Sequence, residues 1–585
     1  MTLCLTACGL NDGSDASGET AARSGKATTK QLVDPSGNTQ TSDAASSAMA
    51  ASGQGVTEND RVVARSAILS SAAGDLAGDS QSMAHDPLSS GISPETTAQA
   101  EAAAHDTSGE NAQASGDMST AAPSAAPAID TGFNPAPPSW TDLSGTSPLC
   151  ASVLSGAPPL TSGTDVGAMP ATPRPATGVA TEDPTWHSCM VRLTRQAETH
   201  PEHPRYTPHS AQQAFNADDS AALLRTNHGE WHILDPRTGQ YLRKLEHIQG
   251  NAEPQWDPHD PRVLYYLNDD GEGMKILRLT IDLSPNGTDR TEQVADMSAE
   301  VKKRWPDATH VRMRGGTPSD DGSTWCFMAG KQEGETWTGR GLFTWDLRNG
   351  QIIGALGSLP GRLEYVTTSP SGSHCVAQYT YLNGVHAYKR DFSAPYNAKT
   401  PGNSLKVLGR AYQQYGDVAR NAQGQDMYVG FDVYSDPHHL FMTDLATGEK
   451  TTLLTTSFGP NTDTGVQVSG RAMQRPGWVL VSGFGERKQG VNNLKEDDPD
   501  RKWFHRKMFA FSLENPPKVL SIANLHHPWD SNQNATWPRP QGTVNRSFTR
   551  MLFNSTWDSM NVQDLDTYLV EILPNAVPPL SGETH

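Results

Sequence analysis

One motif recurs along the C-terminal part of the chain and constrains the fold more than any other feature. A short run of β-favouring residues meets an Asp/Asn/Pro/Gly turn, and a second run leaves it. Trp231–Leu245 (WHILDPRTGQYLRKL), Phe343–Leu356, Leu440–Leu454 and Met508–Ile522 all read this way. Each is a hairpin signal. A second pattern precedes each hairpin, in which turn residues lead into a strand rich in Val, Leu, Tyr and Phe. It appears as NADDSAALL (Asn216–Leu224), DPHDPRVLYYL (Asp257–Leu267), SDDGSTWCFMA (Ser319–Ala329), SPSGSHCVAQY (Ser369–Tyr379) and NAQGQDMYVGF (Asn421–Phe431). Weaker copies are Gln474–Phe484 and Val544–Asn554. The unit is therefore four short antiparallel strands, repeated seven times. Repeats at a spacing of roughly 40–65 residues made only of strands predict an all-β fold, a β-propeller of seven four-stranded blades. The propeller is expected over 187–575, with a disordered tail at 576–585.

The last unit is one strand short, because Thr567–Leu573 (TYLVEIL) is followed only by PNAVPPLSGETH. Met190–Thr194 (MVRLT) has the pattern of the missing outer strand. Pairing it with the last blade closes the ring and removes two open sheet edges.

The 585 residues carry a formal charge of −19, and the acidity is uneven. Residues 1–186 hold 20 acidic against 6 basic side chains, and the remainder 45 against 40. A near-balanced folded region excludes nucleic acid as the expected partner, since phosphate binding needs a basic patch. No apolar run is long enough to cross a bilayer. Residues 11–181 are built from Ala, Ser, Gly, Thr, Asp and Pro, with Phe133 and Trp140 as the only aromatics. Such a segment buries too little apolar surface to offset its ordering entropy, and it is expected to be a disordered tether.

Ahead of it, Leu5-Thr6-Ala7-Cys8-Gly9 resembles a bacterial lipoprotein lipobox, within a truncated signal at 1–10. Only seven residues precede Cys8, fewer than a basic and apolar leader needs, as though translation began further upstream. The resemblance implies lipidation at Cys8 and a monomeric, lipid-anchored protein of the cell envelope, facing the periplasm or the cell surface.

The turn-and-strand units resemble those of TolB-type propellers, and within that group the oligogalacturonate lyases. The resemblance rests on the Ser-Pro-Ser-Gly and Ser-Asp-Asp-Gly loops and on His526-His527-Pro528-Trp529 near the C-terminus. It implies a funnel at the ring centre. For the lyases it implies β-elimination on acidic oligosaccharide and a divalent metal held by His and Gln side chains. Gln541 stands where a further His would serve that metal best.

Residues just before the turn of each first strand are expected at the funnel. In this register Gln213, Glu253, Arg314, Glu364, Tyr365, Asp417, Arg471 and Gln541 form the candidate ligand site. Gln212, Tyr415 and Arg539 are their neighbours in that register. An arginine there can neutralise a carboxylate through a bidentate pair. The expected partner is an envelope protein or an acidic glycan. If the chain is instead a lyase, His505, His526 or His527 is the base and Arg314 or Arg539 the cation. Adjacent side chains of a strand face opposite ways, so neither His526-His527 nor His438-His439 places two imidazoles on one metal, and no cofactor is expected. Asp235, Asp282, Asp346 and Asp444 open hairpin turns and are read as turn residues. Cys326 and Cys375 are expected as buried free thiols, whereas Cys150 and Cys189 can pair in an oxidising compartment.

Overall fold

The computed structural model describes residues 145–581, apart from 196–204, 285–286, 358, 380–383, 394–404, 407–415, 433–437, 456–461, 489–490, 495–497, 500 and 529–538. Cys8 and the tether up to residue 144 lie outside the described residues.

Seven antiparallel sheets form the ring. The first contains Arg205–Tyr206, Ala222–Thr226, Glu230–Asp235 and Gln240–Gln249, here called strands A to D from the channel outward. Blades 2 to 6 begin their A strands at Gln255, His310, Leu363, Asp417 and Thr462. Blade 7 has Thr543–Val544, Arg550–Ser555 and Asp566–Glu571 as strands A to C. Its D strand is Cys189–Arg192, which pairs Met190 with Val570 and Val191 with Leu569. The ring thus closes with the N-terminal strand, as the short last repeat predicts.

The inner strands are apolar on both faces rather than alternating. Thr324–Met328 and Ala329 are all buried in strand B of blade 3, because each blade is sandwiched between two others. Trp325 stacks on Phe327 at 5.8 Å, and Phe327 meets Phe343 at 5.5 Å. The turn aspartates behave as read. Asp346 accepts from the amides of Arg348 and Asn349 at 2.9 and 3.0 Å, and Asp444 from Ala446 and Thr447 at 2.8 Å each.

Residues 145–181, expected within the tether, are instead laid along the ring. A short helix at Ala151–Leu154 buries Leu154. Cys150 is bonded to Cys189 across a Cα separation of 5.8 Å. Ser162 bridges Leu520 on the outer strand of blade 6, and Ala180–Glu182 adds a fifth strand outside Cys189–Arg192. Asp183 accepts from the amide of Asn524 at 2.7 Å, and Trp186 donates to the Asn524 side chain at 3.2 Å. This strap covers the outer edges of two blades that would otherwise be open to pairing. At the other terminus Val577 and Leu580 are buried, and Pro578 accepts from the Trp478 indole at 2.8 Å, so the start of the expected tail is also packed. The buried free thiols expected at Cys326 and Cys375 are a disulfide between strands B of blades 3 and 4, with Cα atoms 5.5 Å apart. Neighbouring blades face each other, which sequence spacing does not convey.

The strap should carry stability. A chain beginning at Thr181 loses the Cys150–Cys189 link, which closes a 39-residue separation and contributes about 4 kcal/mol by loop entropy. It should melt below a chain beginning at Gly145. A chain beginning after Thr194 also loses the closing strand and should aggregate. Equal, cooperative melts for all three would show that neither element matters.

Candidate functional site

The polar residues of the channel fall into two groups, one at each end. At the end where chains enter the A strands, Glu253 sits in a left-handed turn with φ 51° and is 7% exposed. Its carboxylate accepts from the amide of Met313 at 2.9 Å and also from that of Arg314. Glu253 on blade 2 therefore holds the residues that follow strand A of blade 3, His310–Arg312. Arg314 is itself left-handed, φ 61°, and Gly315 after it has φ 92°. These two consecutive positive-φ residues bend the chain so that Arg314 leaves the sheet.

Beside it, Asp270 comes from the B–C loop of blade 2 and pairs with Arg312. Arg312 is buried and lies 4.1 Å over the Trp337 ring. Burial holds its guanidinium down to about 10 despite Asp270. Burial likewise raises Glu253 to about 7, against the opposing pull of the Met313 and Arg314 amides. It raises Asp270 to about 6, opposed by Arg312 and Arg314. Glu364, at the start of strand A in blade 4, is raised for the same reason, with Arg362 and Arg314 opposing. Among the described residues the guanidinium of Arg314 makes no hydrogen bond or ion pair. It is half-buried between acids it does not touch.

The C-terminal side of this mouth holds the histidines. His526 sits between Asp558, 2.8 Å from its Nδ1, and the Thr172 hydroxyl of the strap, 3.4 Å from its Nε2. Its ring stacks on Trp557 at 4.4 Å. His505 accepts from the amide of Lys502 at 3.1 Å and is pushed down to about 3 by burial, then by Arg506. His527 is buried and also pushed down to about 3 by desolvation. His209, which the sequence reading did not single out, is lowered to about 4 by burial and by Arg539. Arg539 acts on both His209 and His527. Gln541, φ 47°, spends its side-chain oxygen on the amide of Ser210 at 3.3 Å.

The remaining candidates are elsewhere. Tyr365 and Asp417 are buried in the channel wall. Arg471, after strand A of blade 6, Thr462–Ser469, lines one cavity with Gln213 and with the A–B loop residues Asp320 and Arg546, towards the opposite end. Arg471 binds Asp417 through Nε and Nη2 at 3.0 and 2.9 Å and reaches across to the Thr317 hydroxyl at 2.8 Å. Burial raises Asp417 to about 6, with Arg471 opposing. The candidates expected to meet in one funnel are thus split between two ends. Sequence spacing does not show this split, because strand A is interrupted in blade 1 and extended in blade 6.

A metal of the kind the lyase resemblance implies does not fit the side chains present. No three His, Cys, Asp or Glu residues come within metal-binding reach of one another among the described residues. The Gln541 side-chain oxygen and His526 already have partners.

No protein-family model matches the chain, and no curated protein matches it in sequence. Solved structures do. An oligogalacturonate lyase in complex with manganese is 14% identical, with a TM-score of 0.44, over 72% of this chain and 99% of its own. An oligogalacturonate lyase from Vibrio parahaemolyticus is 11% identical, with a TM-score of 0.44, over 71% and 98%. The seven-bladed architecture itself rests on the strand pairing given above.

Glu253 gives a pH test. Its carboxyl holds a proton up to about pH 7 when folded and only to about 4.5 otherwise. Folded chains then bind the extra proton between those values, so unfolding free energy should fall as pH rises from 5 to 8. Glu253→Gln should flatten that fall by about 3 kcal/mol in urea melts at the two pH values. An unchanged slope would place the titration elsewhere.

Proposed function

We propose that this protein is a cell-envelope β-propeller, lipid-anchored through Cys8, that binds an acidic glycan at the mouth formed by blades 2 to 4. The observation that carries the reading is the guanidinium of Arg314, left without a partner among the described residues and fixed in place through Glu253. A planar guanidinium in a half-buried, partly acidic mouth suits a ligand carboxylate with hydroxyls around it, since the carboxylate takes the cation and the hydroxyls donate to Glu364 and Asp270. The two disulfides support an oxidising compartment.

Calorimetric titration with uronate oligomers should show saturable binding. Arg314→Ala should weaken it by about 2 kcal/mol, roughly thirtyfold. Binding that Arg314→Ala leaves untouched would remove this mouth as the site, and binding confined to envelope proteins would remove the glycan. For the anchor, palmitate labelling of the protein expressed with its native leader should be lost on Cys8→Ala, and unlabelled native protein would end that claim.

Arg539 beside the neutral imidazoles of His209 and His527 favours a second reading, β-elimination on the same class of glycan, with base and cation supplied from blades 6, 7 and 1. Burial opposes it, because both rings take up a proton only with difficulty. Ultraviolet absorbance of unsaturated uronate products separates the two readings. A rising trace abolished by His527→Ala would establish the lyase.

A further inference from the structure

One histidine of the channel has its chemistry fixed by the fold. His209 lies in the break of the blade 1 inner strand, between Tyr206 and Phe215. Blade 7 clamps that loop. The Thr207 amide donates to the Asn554 side chain at 2.9 Å, and the Thr207 hydroxyl donates to the Gln541 carbonyl at 3.2 Å. The Ser210 amide donates to Gln541 Oε1 at 3.3 Å, and the Gln212 carbonyl accepts from the Thr543 hydroxyl at 2.8 Å. The Gln541 side chain thus seats the loop that carries His209. From there the imidazole reaches across the channel to blade 3. A Cβ added at Gly315 would stand 3.6 Å from His209 Cγ, so the ring lies against the backbone of the residue next to Arg314.

The loop also sets the tautomer. The Ala211 amide donates to His209 Nδ1 at 3.1 Å. A ring nitrogen that accepts an N–H keeps its lone pair there, so the proton of the neutral ring sits on Nε2. Burial, then the Arg539 guanidinium of blade 7, pushes the imidazole down to about 4, which keeps it neutral around pH 7. Nε2 makes no hydrogen bond among the described residues, and the residue is only half-buried. The other histidines of this side are closed off, with His505, His526 and His527 3%, 2% and 2% exposed.

We propose that His209 is a hydrogen-bond donor to the bound glycan, locked in its Nε2–H form, and not a base. The inference rests on the glycan-binding reading and adds blade 1 to that mouth. A ligand whose carboxylate meets Arg314 runs past Gly315 and offers a hydroxyl or ring oxygen to Nε2–H. A base needs a lone pair facing the substrate, and the lone pair of this ring faces the Ala211 amide. His209 therefore takes no part in proton abstraction. Its contribution to binding is constant across the neutral range, where a cationic imidazole or a base would titrate.

Two measurements on the full chain test this. Long-range proton–nitrogen NMR of isotope-labelled histidine, with His209 assigned through His209→Gln, should show a proton on Nε2 and none on Nδ1 in the unliganded, unmutated protein. A proton on Nδ1, alone or with one on Nε2, overturns the proposal, and this readout does not depend on any variant folding. Calorimetry would use galacturonate and mannuronate trimers. His209→Leu should weaken whichever trimer binds about tenfold, by the same factor at about pH 6 and 8. His209→Gln, whose amide still donates from that position, should stay within about threefold of the unmutated chain. Melting temperatures record that both variants fold. Binding lost in Arg314→Ala but unchanged in a folded His209→Leu overturns the donor and leaves the glycan reading standing, as does a factor that changes between the two pH values. If the unmutated chain binds neither trimer, the glycan reading falls and the donor falls with it.

Discussion

The pairing of Cys189–Arg192 with Asp566–Glu571 is the interaction on which the rest of the structure depends. A ring of sheets is rigid only when its first and last blades are joined, and here the joint is a single strand drawn from the other end of the chain. It is reinforced by charge. Asp566 accepts from Arg192 Nε at 2.6 Å and from the Thr194 hydroxyl at 2.8 Å, and it also binds Arg174 from the strap. Isolated, a buried carboxylate would be costly, but one with this many donors is stabilised, and removing any one donor leaves the others to hold it. The positions of all channel side chains follow from this closure, because each A strand is fixed by its neighbours on both sides.

The architecture was legible because its signals are local. Asp346 and Asp444 mark turns by bonding amides two and three residues on, and such turns look alike in sequence and in space. The closing strand was legible for the opposite reason, as an arithmetical gap in the last repeat. The strap was not. Its apolar content is a handful of residues, Leu154, Met169 and Trp186 among them, too few to fold alone. They become ordered only on a surface already built by blades 6 and 7, and composition cannot register a surface made elsewhere. The Cys326–Cys375 link escaped for a similar reason, since the facing of two B strands is a property of the ring.

The site was half legible. Glu253 and Gln541 precede strands A of blades 2 and 7 and Arg314 follows strand A of blade 3, yet all three share left-handed backbone, the device that turns a side chain out of the sheet. Arg471 and Gln213 were assigned to the same end because the repeat was taken as uniform. In blade 1 the inner strand breaks between Tyr206 and Ala214 and resumes at Phe215, which bridges Ala222. Offsets of that kind come from packing around the axis, where seven strands must share a narrow space, and they leave no mark on the turn pattern.

Arg471 then decides what the channel can do. A buried arginine is stabilised only by near-complete hydrogen bonding, and this one binds both Asp417 oxygens, the Val418 carbonyl and the Thr317 hydroxyl. Replacing it by an apolar residue would leave Asp417 without its counter-charge among the amides of Val418 and Gly470. The pair therefore persists as a crossbar from blades 5 and 6 to blade 3. The electrostatics of the two mouths differ: among the described residues the Arg314 guanidinium makes no ion pair, whereas Arg546 shares Asp320 with Arg420.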